Sequence, residues 1–555
     1  MRRARVLMAG ALLVVGVGTA FVPAAAGPAT DYTGPYGPFG FTTQGLGATP
    51  NYGEPSLALA PDGRHVAIST PGGGGVSYWL SANDGNSFTT NTTTSPNGGG
   101  DSALDFLPDG TLLSADLEVT DSNVKISHDY GKTFDAGRSA GTEQDRQWLG
   151  HSPDGKTTYL VYHDFVAEAE FIAVSKDAGK TWTTSPADQI LVNSPDQVTA
   201  PGAAIGPTAG SSASLVDQGV NTFSGPILVD PDGKDLYVVY SISDLQSNAN
   251  PTVGVPPFGP VHGLVVAHSA DAGKTWTNKY AVVAKPDPTD PSKEEQTGTL
   301  FPWGFLDPAG NVYVVFNDNR GNVGTDKFHT YYAYSTDKGA HWSAPIKLDD
   351  LPISGPGSTV YNTGAAVSPG VIDLAWYESP NGVPSSDKSV YTPHFAQVRA
   401  ADTAHPTITS QALSALPNHR GGICLQGILC GVGPGSSDRS LLDFFELAVN
   451  PRTHLAGIAY ADNARLPAKN GSVTGEVVYA SQTKTFTPLP ITGTTGTTTP
   501  TMTAKGAPGT APAASRGALA MTGLSTAVPL TAFVLLIAGG YGLRRRRGIG
   551  RTPDA

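Results

Sequence analysis

The octapeptide SADAGKTW at residues 269–276 recurs along the chain, and its copies decide the fold. The copies are SKDAGKTW at 175–182, SHDYGKTF at 127–134, STDKGAHW at 335–342 and SANDGNSF at 81–88. Asp, Ser and Thr side chains hydrogen-bond the free N–H groups of a tight turn, and Gly supplies the positive φ that such turns need. The closing Trp or Phe is suited to packing between neighbouring sheets. The octapeptide therefore predicts a turn that is repeated once per structural unit.

A second repeat, out of phase with the first, places Pro and then Asp-Gly or a related pair before a short apolar run. Its copies are APDGRHVAI from 60, LPDGTLL from 107, SPDGKTTYLVY from 152 and DPDGKDLYVVY from 230, with looser forms DPAGNVYVVF from 307, VSPGVIDLAWY from 367 and NPRTHLAGIAY from 450. β-branched and aromatic residues bounded by such turns indicate strands and hairpins. After the last copy, SQTKTF at 481–486 looks like the octapeptide without its Asp-x-Gly centre.

Strand-only units of roughly 40–50 residues are typical of a β-propeller. Each unit is interpreted as strand A, the Pro-Asp-Gly turn, strand B, a variable loop, strand C, the octapeptide turn and strand D. Seven units predict an all-β propeller with seven blades over residues 27–487. Six blades are the alternative if one irregular unit is not a blade.

The octapeptide resembles the Asp-box, or bacterial neuraminidase repeat, S-x-D-x-G-x-T-W. The copies at 127, 175 and 269 match at every defined position, with Phe134 in place of Trp. The resemblance implies a sialidase-like propeller that acts on carbohydrate, with the boxes on the C–D turns opposite the active site. It therefore implies structural roles for the box aspartates Asp129, Asp177, Asp271 and Asp337.

Because strand direction alternates within a blade, the starts of strands A and the ends of strands B share the other face. By this alignment, charged side chains converge at one mouth of the propeller. The ends of strands B contribute Asp116, His163, Asp164, Asp244, Asp318, Arg320, Tyr377, Glu378 and Asp462. The starts of strands A contribute Glu54, Asp101, Asp145, Arg146, Trp148, Arg439 and Asp443. For each residue alone the alternative is a hydrogen bond within its own loop, and acidic loops of this type also bind a structural Ca²⁺ ion.

Sialidases of this fold hold the sugar carboxylate with three arginines and use an Asp acid with a Tyr nucleophile activated by Glu, and a guanidinium suits such a carboxylate. The predicted substrate-binding residues at the mouth are Arg146, Arg320 and Arg439 as the clamp, with Trp148 and His163. The predicted catalytic residues are Asp101, Asp116, Asp164, Tyr377 and Glu378. Adjacent strand residues point to opposite faces, which weakens a Tyr377–Glu378 pair.

One departure from the sialidase pattern is serious. Sialidases carry an early Arg-Ile-Pro motif that supplies the first clamp arginine, whereas this chain has NYGEPSLAL with Glu54 at that place. Catalytic residues therefore transfer only through the blade alignment. A non-catalytic propeller that binds glycan or protein at the cell surface is the alternative function.

The chain ends indicate export and anchoring. Arg2, Arg3 and Arg5, an apolar run and three alanines predict a signal peptide over residues 1–26. Residues 488–518, rich in Thr, Pro, Gly and Ala, predict an extended linker. Residues 519–555 contain LAMTG, an apolar segment and an arginine-rich tail, which resembles a Gram-positive sorting signal. That resemblance implies sortase cleavage between Thr522 and Gly523 and attachment to peptidoglycan; a retained membrane anchor is the alternative.

Charge and cysteine usage restrict the partners. Without residues 1–26 and 523–555, 27 Lys and Arg face 46 Asp and Glu, a net charge near −19 that argues against nucleic acid and anionic membranes. Cys424 and Cys430 are the two cysteines, and outside the cytoplasm their spacing predicts a small disulfide loop rather than a metal site. The sequence predicts no required cofactor, a carbohydrate or glycoconjugate partner, and a monomer.

Overall fold

The computed structural model describes residues 39–484, apart from 73, 95–98, 119–120, 143, 165–168, 185–219, 246–257, 292, 299, 426, 428–429, 431–437 and 467–474. The predicted signal peptide, linker and sorting signal lie outside the described residues. The described part forms 28 strands in seven antiparallel sheets and contains no α-helix. It is a seven-bladed β-propeller, which confirms the predicted fold class and the blade count.

In the first four blades the strands follow one another in chain order from the innermost to the outermost. Blade 1 contains β2 (Ser56–Leu59), β3 (Val66–Pro71), β4 (Gly75–Ser81) and β5 (Thr89–Thr94). Blade 2 contains β6 (Ser102–Phe106), β7 (Leu112–Leu117), β8 (Asp121–Ser127) and β9 (Arg138–Thr142). Blade 3 contains β10 (Gln144–His151), β11 (Thr158–Asp164) and β12 (Ala169–Ser175). Blade 4 contains β13 (Val220–Val229), β14 (Leu236–Leu245), β15 (Phe258–Ser269) and β16 (Thr277–Val283).

The remaining blades follow the same order until the last one. Blade 5 contains β17 (Trp303–Leu306), β18 (Val312–Asp318), β19 (His329–Ser335) and β20 (Ile346–Lys347). Blade 6 contains β21 (Ser358–Ser368), β22 (Val371–Ser379), β23 (Val390–Arg399) and β24 (Thr407–Ala412), with β25 (His419–Arg420) paired to β23. Blade 7 contains β26 (Glu446–Val449), β27 (Ala456–Asp462) and β28 (Gly475–Lys484), and its fourth strand is β1 (Gly40–Thr49).

The ring closes in blade 7, where the first described strand of the chain pairs with the last. β1 runs antiparallel to β28, with Gly40 opposite Lys484 and Thr49 opposite Gly475. The interpretation of SQTKTF as a degenerate C–D turn is therefore wrong, because Ser481–Lys484 continue β28 as a strand. No turn is needed there, since the outermost strand of this blade comes from the other end of the chain.

In blades 1, 2, 4 and 5 the octapeptide forms the turn between strands C and D, and in blade 3 it follows strand C and brings Thr183 to pair with Val174 in an isolated bridge. In the copy at 269–276, Ser269 Oγ donates to Asp271 Oδ1 at 2.8 Å, and the Gly273 amide donates to Ser269 Oγ at 2.9 Å. The Thr275 amide and hydroxyl both donate to the Asp271 carboxylate, at 2.9 and 2.8 Å. Trp276 Nε1 donates to the Gly273 carbonyl at 3.1 Å, while its ring is fully buried between blades 3 and 4. The polar groups of the Ser269, Asp271, Thr275 and Trp276 side chains therefore all have hydrogen-bond partners inside the turn.

The position before each octapeptide glycine also has positive φ, and in three copies it links two blades. Asp84, Tyr130, Ala178, Ala272 and Lys338 occupy this position with φ between 59° and 62°. Asp84 pairs with Arg452 of blade 7 at 2.6 Å, and Lys338 pairs with Asp235 of blade 4 at 2.5 Å. Tyr130 stacks on His65 of blade 1, with ring centroids 3.6 Å apart. In each case the side chain reaches the Pro-Asp-Gly region of the preceding blade, so the octapeptide both closes its own hairpin and joins neighbouring blades.

The middle strands are buried on both faces because each blade packs between two others. Every residue of β7 and β18 is buried, including Asp116 and Asp318 near their ends. A buried carboxyl group needs a hydrogen-bond or charge partner, and these partners determine how the side chains of Asp116 and Asp318 are oriented.

A disulfide joins Cys424 and Cys430, with an S–S distance of 2.06 Å. It closes a short loop in the segment that leads from β25 to β26.

Replacing Asp271 with alanine is expected to lower the free energy of unfolding by about 1–3 kcal/mol, because it leaves Ser269 Oγ and both donors of Thr275 without their acceptor. Chemical denaturation would measure the loss. Lys274→Ala in the same turn is the control, since the Lys274 backbone amide, not its side chain, contacts Asp271. Equal stability of the two variants would contradict a structural role for the motif aspartate.

Candidate functional site

The two faces of the propeller carry different sets of residues. On one face, here called the turn face, the octapeptide turns meet the Pro-Asp-Gly turns: the Asp84 amide donates to the Arg64 carbonyl, and the Ala178 amide donates to the Lys156 carbonyl, each at 2.9 Å. On the opposite face, here called the entry face, each innermost strand begins and each second strand ends. Any site built from those ends lies on the entry face.

A cluster of charged side chains lies where the innermost strands of several blades begin. This central cluster consists of Glu54, Asp101, Asp145, Arg146, Arg439 and Asp443. Its members come from blades 1, 2 and 3 and from the segment that leads into blade 7. Residues as far apart in the chain as Glu54 and Asp443 are thereby brought into direct contact.

Glu54 is the most deeply buried acid of the cluster, at 1% exposure. Its Oε1 accepts the Asp443 amide at 3.1 Å and lies 3.9 Å from the Arg439 guanidinium, which is bonded to the Asp443 carboxylate. Burial, and next the negative charge of Asp101, hold the pKa of Glu54 well above its usual value; a hydrogen bond to Asp101 acts in the same direction. Burial and the neighbouring carboxyl groups therefore favour the protonated form of Glu54.

Asp145 is the least buried acid of the cluster as a whole residue, although its carboxyl group is itself buried. Burial of its carboxyl group and the adjacent Asp101 raise the pKa of Asp145 to about 6, against the opposing effect of His163. Asp101 itself is 7% exposed. The cluster thus places a carboxylic acid that titrates close to neutrality beside a second carboxyl group.

The backbone is strained at three positions around the cluster. Glu54, Arg146 and Tyr361 have φ values of 50°, 43° and 48°, in the left-handed region that non-glycine residues rarely adopt. At Arg146 and Tyr361 the strand register shifts by one residue, which turns the side chain out of the sheet toward the centre. Each such conformation costs about 1–3 kcal/mol and is concentrated at functional sites in proteins generally.

Arg146 lies in a slot between two aromatic rings. Its guanidinium carbon is 3.6 Å from the Trp148 ring centroid and 4.0 Å from that of Phe444. One guanidinium nitrogen donates to the Ser102 carbonyl at 3.2 Å, and the other is 3.7 Å from Glu446. Burial raises the pKa of Glu446 to about 7 although Arg146 opposes it. At 1% exposure, Arg146 contributes to the interior and does not offer a free clamp for a substrate carboxylate.

Aromatic side chains from innermost strands of non-adjacent blades touch one another, so they fill the axis of the ring. Trp148 of blade 3 lies 5.5 Å from Trp303 of blade 5 and 5.4 Å from Phe444, which leads into blade 7. Phe301 lies 6.3 Å from Phe444 and 5.8 Å from Phe223 of blade 4. The central cluster therefore lies against an apolar plug.

Two of the predicted catalytic residues lie in the packing between blades. Asp116 is 1% exposed and is bonded to Lys125 Nζ at 2.6 Å and Ser114 Oγ at 2.6 Å. Tyr377 is fully buried, stacks on Phe445 with centroids 4.4 Å apart, and its hydroxyl accepts the Ala461 amide at 3.3 Å. Neither side chain joins the central cluster.

Glu378 faces the opposite side of its strand from Tyr377, so the two do not form a nucleophile pair. It accepts Trp376 Nε1 at 3.0 Å and lies 3.7 Å from His394. Burial raises the pKa of Glu378 to about 7. The alternation of strand side chains accounts for this separation.

The remaining predicted residues are distributed around the entry face. Arg320 forms a two-pronged pair with Asp318, at 3.2 and 2.9 Å, and is not part of the central cluster. Asp164 is half-buried at the end of β11, opposite Gln144. His163 is buried beside Asp145, and Trp148 donates to the Ser224 carbonyl at 2.9 Å. Of the predicted set, the structure brings together Asp101, Arg146, Arg439, Trp148 and His163.

Sequence reasoning predicted that three further acids of the cluster line the mouth but assigned them no role, and it did not predict two polar residues near the cluster. Glu54, Asp145 and Asp443 were in the predicted lining, whereas Glu446 and Tyr361 were not. Glu446 directly follows the Asp443-Phe444-Phe445 run, and that position was a usable signal. Tyr361 is brought in by a bulge, for which the sequence offers no signal.

Across the described residues, no group of three or more His, Cys, Asp or Glu side chains has an arrangement that could hold a metal ion. In the same part of the chain, no helix is long and apolar enough to cross a membrane.

Comparisons with known proteins add a likeness of fold. No family model matches the chain. No curated protein matches its sequence. Among solved structures, a protein of unknown function from Dyadobacter fermentans is 14% identical, with 79% of this chain and 98% of that chain covered and a TM-score of 0.41. The polysaccharide lyase Uly1 is 10% identical, with 79% and 91% covered and a TM-score of 0.42. The Hadza microbial sialidase Hz136 is 12% identical, with 77% and 65% covered and a TM-score of 0.36.

The buried acids predict an unusual pH dependence of stability. Burial raises the pKa of Asp145 and Asp462 to about 6, and of Asp373, Glu378 and Glu446 to about 7. The unfolded chain ionises these groups near pH 4 while the folded chain keeps their protons, so stability falls as the pH rises from about 4 to about 7. We expect the free energy of unfolding to be larger at pH 5 than at pH 8.

Glu378→Gln is expected to remove about 2 kcal/mol of that pH dependence, since the amide has no proton to lose. Urea denaturation at several pH values would measure it. Asp287→Asn, an exposed site whose pKa is lowered by hydrogen bonds from Thr289, is the control and should leave the slope between pH 5 and 8 unchanged. A slope that is the same with and without Glu378 would contradict the expectation.

Proposed function

We propose that this protein is an exported carbohydrate-acting propeller, and specifically a glycoside hydrolase with Asp145 as the general acid and Asp101 as the second carboxylate. The single observation that carries the proposal is the central cluster, in which Asp145, the least buried acid, has a pKa of about 6 and lies beside a second carboxyl group. Glycosidases use such a pair, in which one group protonates the leaving oxygen and the other acts on the anomeric centre or its water.

The acid role falls to Asp145 for reasons of access and protonation. A general acid works best when its pKa lies near the working pH, and Asp145 fulfils that condition and is the least buried acid of the cluster. Glu54 holds its proton more firmly but is 1% exposed. Its role in the proposal is to share that proton with Asp101 and to keep the cluster from accumulating negative charge.

The substrate favoured by the proposal is a neutral glycoside. Each predicted clamp arginine already has an internal partner: Arg146 donates to the Ser102 carbonyl between two aromatic rings, Arg320 is paired with Asp318, and Arg439 is paired with Asp443. A sialoside carboxylate would have to displace one of these internal pairs. The proposal therefore departs from sialidase activity while keeping carbohydrate as the substrate.

The experiment is a screen of the purified protein for release of sugar from neutral polysaccharides and from aryl glycosides, with an aryl sialoside in parallel. Turnover of a neutral glycoside that Asp101→Asn abolishes would support the proposal. Turnover of the sialoside alone would overturn the substrate class. Turnover unaffected by Asp101→Asn would overturn the site.

A non-catalytic glycan-binding propeller is the second candidate, and the internal pairing of the cluster favours it. Arg439, Asp443 and Glu54 bond to one another, as structural networks do. Calorimetric binding of an oligosaccharide that the protein never cleaves would establish this function in place of hydrolysis.

We further propose that the chain is displayed at the cell wall through LAMTG. The motif, the apolar segment after it and the basic tail support this. The test is the Thr522→Ala variant in a sortase-bearing host: muramidase digestion should release the parent protein joined to peptidoglycan fragments but not the variant. Equal release of both would exclude sortase attachment at Thr522.

A further inference from the structure

Three titratable side chains lie in line across the strands of blade 3. His163 on β11 is directly opposite Asp145 on β10 and directly opposite Glu170 on β12. Directly opposed residues of antiparallel strands project to the same face of the sheet. The line therefore runs from Asp145 of the central cluster into the interface with blade 4.

The end of this line at Glu170 is buried and closely packed. His163 Nδ1 lies 3.1 Å from Glu170 Oε1, and both side chains are 2–3% exposed. Thr222 of blade 4 donates to the same Glu170 oxygen at 3.2 Å. Phe223 stacks on the His163 ring with centroids 4.7 Å apart. The imidazole is thus held by a hydrogen bond on one side and by an aromatic face on another.

The Glu170 carboxylate orients the imidazole. By accepting from Nδ1 it places a ring proton on that nitrogen and favours positive charge on the ring. The sequence predicts a substrate-binding role for His163, which its exposure of 2% does not favour. The residue lies directly opposite Asp145 across the β10–β11 strand pair.

We propose that His163 and Glu170 are positioning residues for Asp145, which orient the carboxyl group of the acid and set its protonation through the imidazole. The inference rests on the proposed function, because it assigns Asp145 the acid role. It goes beyond that function by placing the control of the acid in two residues that never touch the substrate.

Among the described residues, the charged groups that act on Asp145 are Asp101, Asp443, Arg439 and Arg146 of the central cluster, together with His163. His163 faces Asp145 on one side and Glu170 on the other. Since positive charge on His163 lowers the pKa of Asp145 and Glu170 favours that charge, loss of either residue should raise the pKa of Asp145.

The first test is the pH dependence of kcat in Glu170→Gln and His163→Gln. A general acid loses activity as the pH rises through its pKa, so the alkaline limb should move up by about half a pH unit or more in both variants. A purely structural role would lower stability or kcat and leave the limb in place. An unshifted limb in both variants would overturn the proposal.

The second test does not depend on turnover. In the full-length protein with ¹³C-labelled histidine, the His163 ring signal is assigned by its loss in His163→Gln and followed as the pH is changed. Asp145→Asn should shift the titration of that signal, and Glu170→Gln should change its tautomer. Asp105→Asn is the matched control. Asp105 of blade 2 pairs at 2.7 Å with His151, which belongs to the same blade as His163 but lies at the other end of β10.

The outcomes separate the two proposals. A His163 signal that responds to Asp145→Asn in a protein without glycosidase turnover would leave the coupling in place and remove the proposed function. A signal that ignores both Asp145→Asn and Glu170→Gln would overturn the coupling even in an active enzyme.

Discussion

Asp145→Asn is expected to lower kcat on an unactivated neutral glycoside about 10²- to 10⁴-fold, because the amide cannot donate a proton to the leaving oxygen. The loss should be much smaller on an aryl glycoside with an acidic phenol, which departs without protonation. Asp101→Asn should reduce turnover of both substrates, since its role does not depend on the leaving group. Steady-state kinetics on the two substrate types would measure the difference.

Asp154→Asn is the matched control for this prediction. Asp154 belongs to the same blade but lies in the Pro-Asp-Gly turn on the turn face, where it accepts from Ser152. Its loss should leave kcat unchanged. If Asp145→Asn lost the same factor on activated and unactivated substrates, general-acid catalysis by this residue would be wrong.

Arg146→Ala is expected to lower the free energy of unfolding by about 3–5 kcal/mol, because it leaves a cavity between Trp148 and Phe444 and removes the charge partner of Glu446. The cavity and the lost ring contacts should account for most of this loss in the free energy of unfolding. Glu446 already has a pKa of about 7 and takes up a proton when Arg146 is gone, which limits the cost of its isolation. Denaturant unfolding at pH 7 would measure the loss.

Arg146→Met distinguishes the contributions of volume and charge. Methionine refills the slot between the rings, so this variant should lose less than half of what Arg146→Ala loses, since buried ion pairs are often replaced by apolar groups at little cost. Both variants keep the left-handed backbone at this position, so its strain cancels in the comparison. Arg138→Ala, which breaks an exposed pair with Asp135, is the control and should cost less than about 1 kcal/mol. Equal losses for the alanine and methionine variants would show that charge, not packing, stabilises the slot.

These two expectations concern adjacent residues with different tasks. Asp145 is only partly buried as a residue, while the register shift after it turns Arg146 onto the aromatic plug. The same bulge therefore separates a candidate catalytic group from a structural one. The sequence predicts that Asp145 and Arg146 both lie at the mouth, but it cannot predict that their side chains point in different directions.

The sequence by itself determined the architecture, because the information that defines a blade is local. A turn such as SADAGKTW needs an acceptor at Asp271, left-handed backbone at Gly273 and a ring at Trp276, all within eight residues. These requirements can be recognised from residue types alone, and their spacing counts the blades. The resemblance of these turns to the Asp-box implied a structural role for the motif aspartates and kept them out of the predicted site.

Only the tertiary structure decided which side chains meet, because those contacts join distant parts of the chain. β1 closes the ring against β28, and Glu54 contacts Asp443 across 389 positions. The sequence predicted the mouth that holds Asp101, Arg146 and Arg439, but it also assigned roles there to Asp116 and Tyr377. Burial between packed blades draws those two into internal hydrogen bonds, whereas bulges at the starts of innermost strands turn other side chains to the axis. The direction of a side chain at a strand end depends on packing, so the repeats locate the blades and the assembled ring selects the site.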